Sequence, residues 1–333
     1  MPAVVGLIAE GELRNITEVH LGTGFKNRLG VVTTYPYPQG QQIHGFFGYE
    51  VLYGNANVAS SWKRNAITLC YFRDALVKHE CGGYFYPVVV NKRFQNYKCS
   101  NCGQIVRSPT RRGLVLFTRV NRYTGKAHAW RTECIVRGHR FRFKAIYNMK
   151  RGVDYVDEFV AMIKMAEEEG VRLGARVGKG KGLFELENVR FSKITTGDIK
   201  KRANDLRKKS GLTFHFISDV VGEAITPELI LRSVKNAGKF FYPEYESYDN
   251  PFVRVAWKEQ LPPRQLKRLH RKVGEEWVGK GVVVKKMVVP AGAKIRLEIA
   301  DAEDMFYECL ATAELLMGVG EETSVGKGEF VVV

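Results

Sequence analysis

Two stretches of this chain repeat one pattern, and that repeat limits the fold more than any other feature. The first copy runs from Ile135 to Phe191 and the second from Val288 to Val333. Each opens with a glycine and an alternating strand, Gly138-His-Arg-Phe-Arg-Phe143 and Gly292-Ala-Lys-Ile-Arg-Leu297. Period-two alternation gives a strand with one buried face. Each copy then has Asp-x-x-Asp, Asp154 and Asp157 against Asp301 and Asp304. Acids at such a place suit a helix N-terminus, where free N–H groups and the positive dipole end lie. Apolar residues follow at helical spacing: Val156, Phe159, Val160 and Ile163, then Met305, Phe306, Cys309, Leu310 and Ala313. These stripes are read as core.

A glycine-rich loop and a last strand close each copy. Gly174–Gly182 leads to Leu183–Phe191, and Gly318–Gly328 leads to Glu329–Val333. Glycines let backbone approach an anion closely and take positive φ, so both loops are expected to offer N–H groups to a phosphate. Neither follows a strand and opens a helix, which excludes nucleotide-binding loops. Strand, helix, glycine loop and strand make the second half of a ferredoxin-like βαββαβ unit. First halves are expected at residues 6–18 with a helix over 62–79, and at 212–221 with a helix over 226–236. The fold class expected is therefore α+β: two ferredoxin-like (RRM-like) domains, residues 1–192 and 211–333. The boundary falls in the charged stretch 193–210, and residues 242–263 form a loop.

The cysteines mark an insertion in the first domain, at about 78–112. Cys99-Ser-Asn-Cys102-Gly103 is a CxxC closed by glycine, and His79-Glu-Cys81-Gly82 is an HxC pair upstream. Two short loops with four N/S ligands match a tetrahedral structural zinc site. Cys70 is the alternative to His79. Four protein ligands leave no open position for catalysis, so the metal expected is structural Zn²⁺. A redox CxxC would open a helix, whereas Cys102 precedes a strand-like Ile-Val pair. The bland alternative is two unrelated pairs.

Charge bounds the partners. With 52 Lys+Arg against 35 Asp+Glu the net charge is +17, which favours a polyanion. No apolar run approaches the ~20 residues of a membrane-spanning helix, no basic amphipathic helix stands out, and no signal peptide is read, so a reducing, cytoplasmic setting is expected. From Lys98 to Arg151 there are fourteen Lys/Arg and one acid, Glu133, interleaved with Phe117, Tyr123, Trp130, Phe141, Phe143 and Tyr147. A basic face usually just meets solvent. Interleaved aromatics add the option of stacking bases, and nucleic acid is the partner expected.

With these features assembled, the chain resembles the RAMP superfamily of CRISPR-associated proteins. Gly318–Gly328 is similar to that superfamily's loop of G-h-G, five residues, then G-h-G, with Lys327 in a usually apolar place. Gly11–Gly24 resembles its first strand, and Ala59-Ser-Ser-Trp-Lys-Arg64 the serine turn before its first helix. Thr118–Ala127 and Phe214-His-Phe-Ile-Ser-Asp219 resemble the tandem-domain type III (III-D-like) subunits that cap the tagged end of guide RNA. The resemblance implies a guide-RNA (crRNA) binding subunit with other CRISPR-associated subunits as partners. Carried over residue by residue, it implies backbone contacts from Ser60, Ser61, Lys63 and Arg64, and from Arg176, Lys179 and Lys181. Glu321 and Glu322 would repel phosphate at the second loop.

Catalysis is the competing reading. Relatives that cut target RNA use an aspartate after the first strand, and between Gly24 and Arg73 this chain has only Glu50 as an acid. Metal-independent processing endoribonucleases use a histidine; His20 and His44 are the candidates here, with Lys26 or Arg28 as the cation. A zinc-ribbon RNA-binding factor unrelated to CRISPR is the third reading.

Overall fold

The computed structural model describes residues 2–53, 69–120, 123–151, 155–175, 177–241, 250–273 and 276–333. The first half begins with β1 (Val4–Asn15), β2 (Gly22–Lys26), β3 (Val32–Thr34), α1 (Gly40–Tyr53) and β4 (Cys70–Phe72). An insertion follows: β5 (Phe85–Val90), β6 (Phe94–Cys99), β7 (Ile105–Val106), β8 (Arg112–Val120) and β9 (Ala127–Ile135). The half ends with β10 (Arg140–Asn148), α2 (Val156–Glu169), β11 (Val171–Arg172) and β12 (Leu183–Thr195). After α3 (Thr196–Arg207) the second half has β13 (Leu212–Phe216), β14 (Val220–Val221), α4 (Pro227–Phe241) and β15 (Phe252–Glu259). It closes with β16 (Arg264–Val273), β17 (Glu276–Val289), β18 (Lys294–Ala300), α5 (Asp304–Thr312) and β19 (Phe330–Val332).

The duplication is visible in the sheets. The first half's sheet runs β11-β12-β1-β10-β4 and the second's runs β15-β18-β13-β19, and every pairing in both is antiparallel. Setting β11 aside, both place the half's first strand between its third and its last, with the second strand outermost. Each half also carries a hairpin between its second and third strands, β8–β9 in one and β16–β17 in the other.

Alternation on β10 explains the first core. Phe141, Phe143, Ala145 and Tyr147 are buried, while Arg140, Arg142 and Lys144 take the opposite face. Tyr147 stacks on Phe159 of α2, and Phe47 of α1 stacks on Phe72 of β4, each at 5.0 Å. The three β10 aromatics therefore cannot stack bases; only the basic half of that pattern reaches the surface. There Arg140 holds Glu12 and Glu187, and Lys144 holds Glu10, so the outer face is a lattice of ion pairs.

Two further expectations are corrected. Within 69–79 the chain is not helical, because Cys70–Phe72 is a buried strand; residues 62–68 lie outside the described residues, and a helix stands at Gly40–Tyr53. Its glycines at 40, 45 and 48 are poor helix formers, and packing on Phe72 and Phe143 overrides that propensity. Inside the stretch read as a loop, Phe252–Glu259 is an edge strand. The stretch 193–210, where the boundary is expected, contains α3, opened by a capping box between Thr195 and Asp198. Its buried Ile199, Ala203 and Leu206 join the second core. That core also takes in Ile8, Tyr71, Ile146 and Ile194 from the first half.

Candidate metal centre and nucleic-acid interface

The insertion brings four predicted ligands together. His79 Nδ1, Cys81 Sγ, Cys99 Sγ and Cys102 Sγ all lie within 4.8 Å of one another. His79 Nδ1 is 3.0 Å from Cys81 Sγ and 3.4 Å from Cys102 Sγ, and the sulfurs of Cys81 and Cys99 are 3.4 Å apart. Tetrahedral ligands about 2.3 Å from one ion sit roughly 3.5–3.8 Å from each other, close to this spacing. Cys70 is instead a buried strand residue, its thiol pushed up by burial, and is not a member of the cluster.

Both ligand loops are glycine-closed turns, the second one residue longer than the first. His79 donates its N–H to Gly83 O, and Cys99 donates to Gln104 O. Gly82 and Gly103 take positive φ, 86° and 73°. The N–H of Gly83 reaches the Cys81 sulfur and that of Gln104 reaches the Cys102 sulfur. A Cβ on Gly83 would fall 2.8 Å from Cys99 Sγ, so glycine is required where the loops meet. The Cys81 thiol is lowered to about 6, first by the Gly83 N–H and then by His79, which favours the thiolate a metal needs. These residues fit a structural metal with no open position.

The metal-bearing insertion also spans the halves. Gln95 donates to Ala291 O at 3.0 Å, and His215 Nε2 donates to Pro87 O at 3.1 Å. Gly292 lies so close that a Cβ would be 2.9–3.0 Å from Val88 backbone. Burial, with Lys294 nearby, lowers His215 to about 4, so it is a neutral donor at pH 7.

The two glycine loops are one device used twice. Leu173 N–H donates to Gly182 O and Val319 N–H to Gly328 O, both at 2.9 Å. Gly182 N–H then reaches Glu18 O, and Gly328 N–H reaches Asp219 O. A Cβ on Gly182 would stand 2.0 Å from Leu173 O, and one on Gly328 would stand 1.7 Å from Val319 O. The lysine before each last glycine meets the acid so placed: Lys181 pairs with Glu18 at 2.6 Å, and Lys327 Nζ lies 3.7 Å from Asp219. Much of the expected phosphate cradle is therefore turned inward, since Leu173, Ala175, Gly180 and Gly182 all donate to protein carbonyls. Close approach to the chain at 18–20 is what these glycines serve.

The copies differ in where they sit. The Lys181–Glu18 pair is partly exposed; Lys327 and Asp219 are 0% and 4% exposed. The second loop is wedged against the first half, where a Cβ on Gly40 would come 2.8 Å from Gly326 and 2.2 Å from Phe72 O. Around it lies a buried charge junction. Asp219 accepts from Arg264 and from Ala291 N–H, Lys327 reaches Gln39, Arg142 pairs with Glu329, and Arg73 donates to Met317 O. Asp74 accepts from Gly40 N–H at 2.8 Å, yet burial lifts its carboxyl to about 6. A folded-state value above the usual ~3.9 means stability that is full below pH ~4 and lost as pH rises through about 6. Asp74→Asn is expected to remove that slope, read as urea midpoints at pH 4.5 and 7.0. Glu321 and Glu322 both pair with Lys286, whose single charge offsets one of the two and lessens the repulsion expected of them.

Of the RNA-contact candidates, Ser60, Ser61, Lys63, Arg64 and Arg176 lie outside the described residues, as does the Lys179 side chain. Lys181 is placed, at Glu18. His20 is buried with Nδ1 2.7 Å from Glu133 O. His44 lies on α1, edge-on to Phe72 at 5.8 Å, and burial lowers it from its ordinary value. Lys26 and Arg28 are exposed at the β2–β3 turn. Sequence reasoning missed the buried junction, although the shared Gly-Lys-Gly at 180–182 and 326–328 was its signal.

No family model matches the chain, and no curated protein matches it. Among solved structures it is similar to one of a Cas6 product complex, at 12% identity and a TM-score of 0.48, over 99% of this chain and 100% of that one. It is also similar to a chain of a type III-B Cmr-beta complex bound to cognate target RNA and AMPPnP, at 8% identity and 0.45, over 87% and 86%. Likeness of this size carries no argument about function. Among the described residues no helix is long and apolar enough to cross a membrane.

Proposed function

We propose that this chain is a RAMP-type CRISPR-associated protein that holds guide-RNA phosphates within an effector complex. In this reading the halves are two ferredoxin-like domains, about 1–192 and 211–333, and Zn²⁺ staples the insertion of the first. The observation that supports the RAMP-type part of the reading is the duplicated glycine loop, with matching hydrogen bonds and a matching lysine–acid pair in two sheets of one strand order; the loops' inward-turned N–H groups leave the RNA-holding part to the chain's charge. A net charge of +17 supplies the attraction to RNA. Ser60, Ser61, Lys63, Arg64, Arg176, Lys179 and Lys181 are the proposed contacts.

The test is single-stranded repeat RNA followed by fluorescence anisotropy and by denaturing gel. Affinity should fall on a log–log plot against salt with a slope of about −0.7 per phosphate neutralised. Arg176→Glu/Lys179→Glu should weaken it by about tenfold or more at low salt, and the RNA should stay intact in EDTA. Binding indifferent to salt, or to these substitutions, would defeat the reading.

A processing endoribonuclease is the second reading, favoured by one observation. His44 stands on the helix whose N-terminus meets the second glycine loop at Gly326, and burial keeps its imidazole neutral, as a general base requires. A discrete cleavage product in EDTA that disappears in His44→Ala would replace holding by cutting.

A further inference from the structure

The second half's sheet has an open face beside the insertion. Residues that pair across β15, β18 and β13 share a side of that sheet. The side carrying Phe214, Ile295 and Leu297 enters the core, and the other holds Phe252, Arg254 and Trp257 on β15 with Lys294, Arg296 and Glu298 on β18. Phe252 and Trp257 are 70% and 41% exposed, and neither belongs to a core. Further across, at β13, this face meets the insertion, where the Tyr86 ring stands edge-on to His215 at 5.3 Å. Lys98 pairs with Tyr86 in the β5–β6 register and so leaves the insertion on the same side. Burial first, then Lys294 and Lys98, hold the His215 imidazole down, which puts both lysines beside this junction.

Positive charge is in excess there. Glu298 lies opposite Arg254, and Glu259 lies opposite Lys294. Arg296 has Trp257 on one side and Thr213 on the other, and Lys98 has Tyr86 and Ile105, so neither cation faces an acid across its strands. Among the described residues, Lys98, Arg254, Lys294 and Arg296 make no ion pair and no side-chain hydrogen bond. The Arg296 guanidinium lies over Gly211, where a Cβ would stand 3.1 Å from it. An apolar protein surface laid on this face would bury Arg296 and Lys98 without partners, which is costly. A single-stranded nucleic acid supplies both needs, a base for the indole and phosphates for the cations beside it. Resting on the RNA reading above, we propose that this face is a second RNA contact, where one base of a single-stranded segment stacks on Trp257 and Arg296 and Lys98 hold the neighbouring phosphates.

The probe is a fluorescein-labelled ten-residue oligouridine, with a second version carrying 5-iodouridine for photo-crosslinking, both added to the full chain. Crosslinked peptide should map to Trp257. Affinity at low salt should fall about tenfold in Trp257→Ala and stay within about threefold of the parent in Trp257→Phe, since phenylalanine still offers a ring. Lys98→Gln/Arg296→Gln should lower the log–log salt slope by about 1.4, two phosphates' worth. Trp257 lies outside both cores, so the melting curves should not change. Affinity indifferent to Trp257→Ala would overturn this proposal and leave the RNA reading standing. Loss as large in Trp257→Phe as in Trp257→Ala would overturn it too, by showing a role in local packing. A concentration-dependent dimer in sedimentation that Trp257→Ala abolishes would overturn it in favour of a second copy. Loss in Trp257→Ala beside full binding in Arg176→Glu/Lys179→Glu would uphold this face while defeating the contacts proposed at the first glycine loop.

Discussion

Cys99→Ser/Cys102→Ser protein should lose a stoichiometric zinc signal and melt about 5–10 °C below the parent, with the insertion unfolding first. The three short strands β5, β6 and β7 have few apolar residues of their own, with Phe85, Val88, Val89, Tyr97 and Cys99 the buried ones. Such a sheet is too small to stand without a staple. The two knuckle turns place His79, Cys81, Cys99 and Cys102 in one cluster, and the ion would bind the folded arrangement alone. Loss should spread further than the loops, because Gln95 and Pro87 tie this sheet to Ala291 and His215. Hydrogen exchange should therefore quicken at residues 85–106 and at 291–293, while β1 and β10 stay protected. A chain with no bound metal and an unchanged melting curve would refute the zinc assignment.

The second large effect is expected at Asp219. Removing this carboxylate leaves Arg264 without its ion-pair partner and Lys327, wholly buried, with only Asp74 as an acid near it. Breaking a buried pair from one side costs about 3–5 kcal/mol. Glu18→Ala makes the equivalent cut in the first copy, where both partners are partly exposed, and should cost less than about 1 kcal/mol. Comparing the two by urea denaturation tests the duplicated architecture directly, since one chemical change is made at matching places. Acid titration adds a check on sign. Burial pushes Asp219 up, but Arg264, Lys327 and the Ala291 N–H outweigh it and hold the carboxyl below its ordinary value. Its contribution is thus full above pH ~3.9 and lost as pH falls below that. Asp219→Ala should start from lower stability and lack this acid loss. Equal costs for the two substitutions would show that burial of the second pair is immaterial.

The periodic parts of the fold were legible. Alternation marked β10 and β18, the helical stripes marked α2 and α5, and the cysteine spacing marked the cluster that could hold a metal. Each of these signals is local, arising from one element meeting one apolar face or one ion. The failures came where packing overruled local preference. A glycine-rich stretch became α1 because Phe47 fits between Phe72 and Phe143. Phe141, Phe143 and Tyr147 looked like a base-stacking surface, since the sequence does not say which side of an alternating strand faces inward. The charge junction was hidden for another reason. Its members, Arg73, Asp74, Arg142, Asp219, Arg264, Lys327 and Glu329, are scattered along the chain and meet only when the halves close on each other.

That closure has a consequence for how the chain can be divided. Ile8, Tyr71, Ile146 and Ile194 belong to the first sheet by sequence and to the second core by burial. A protein severed between Arg207 and Leu212 would leave the first fragment with a bare apolar stripe, and the second with an open groove to match it. Its two copies read as separable modules on paper, yet they share an interior, so a cut between them would bare apolar surface on both sides.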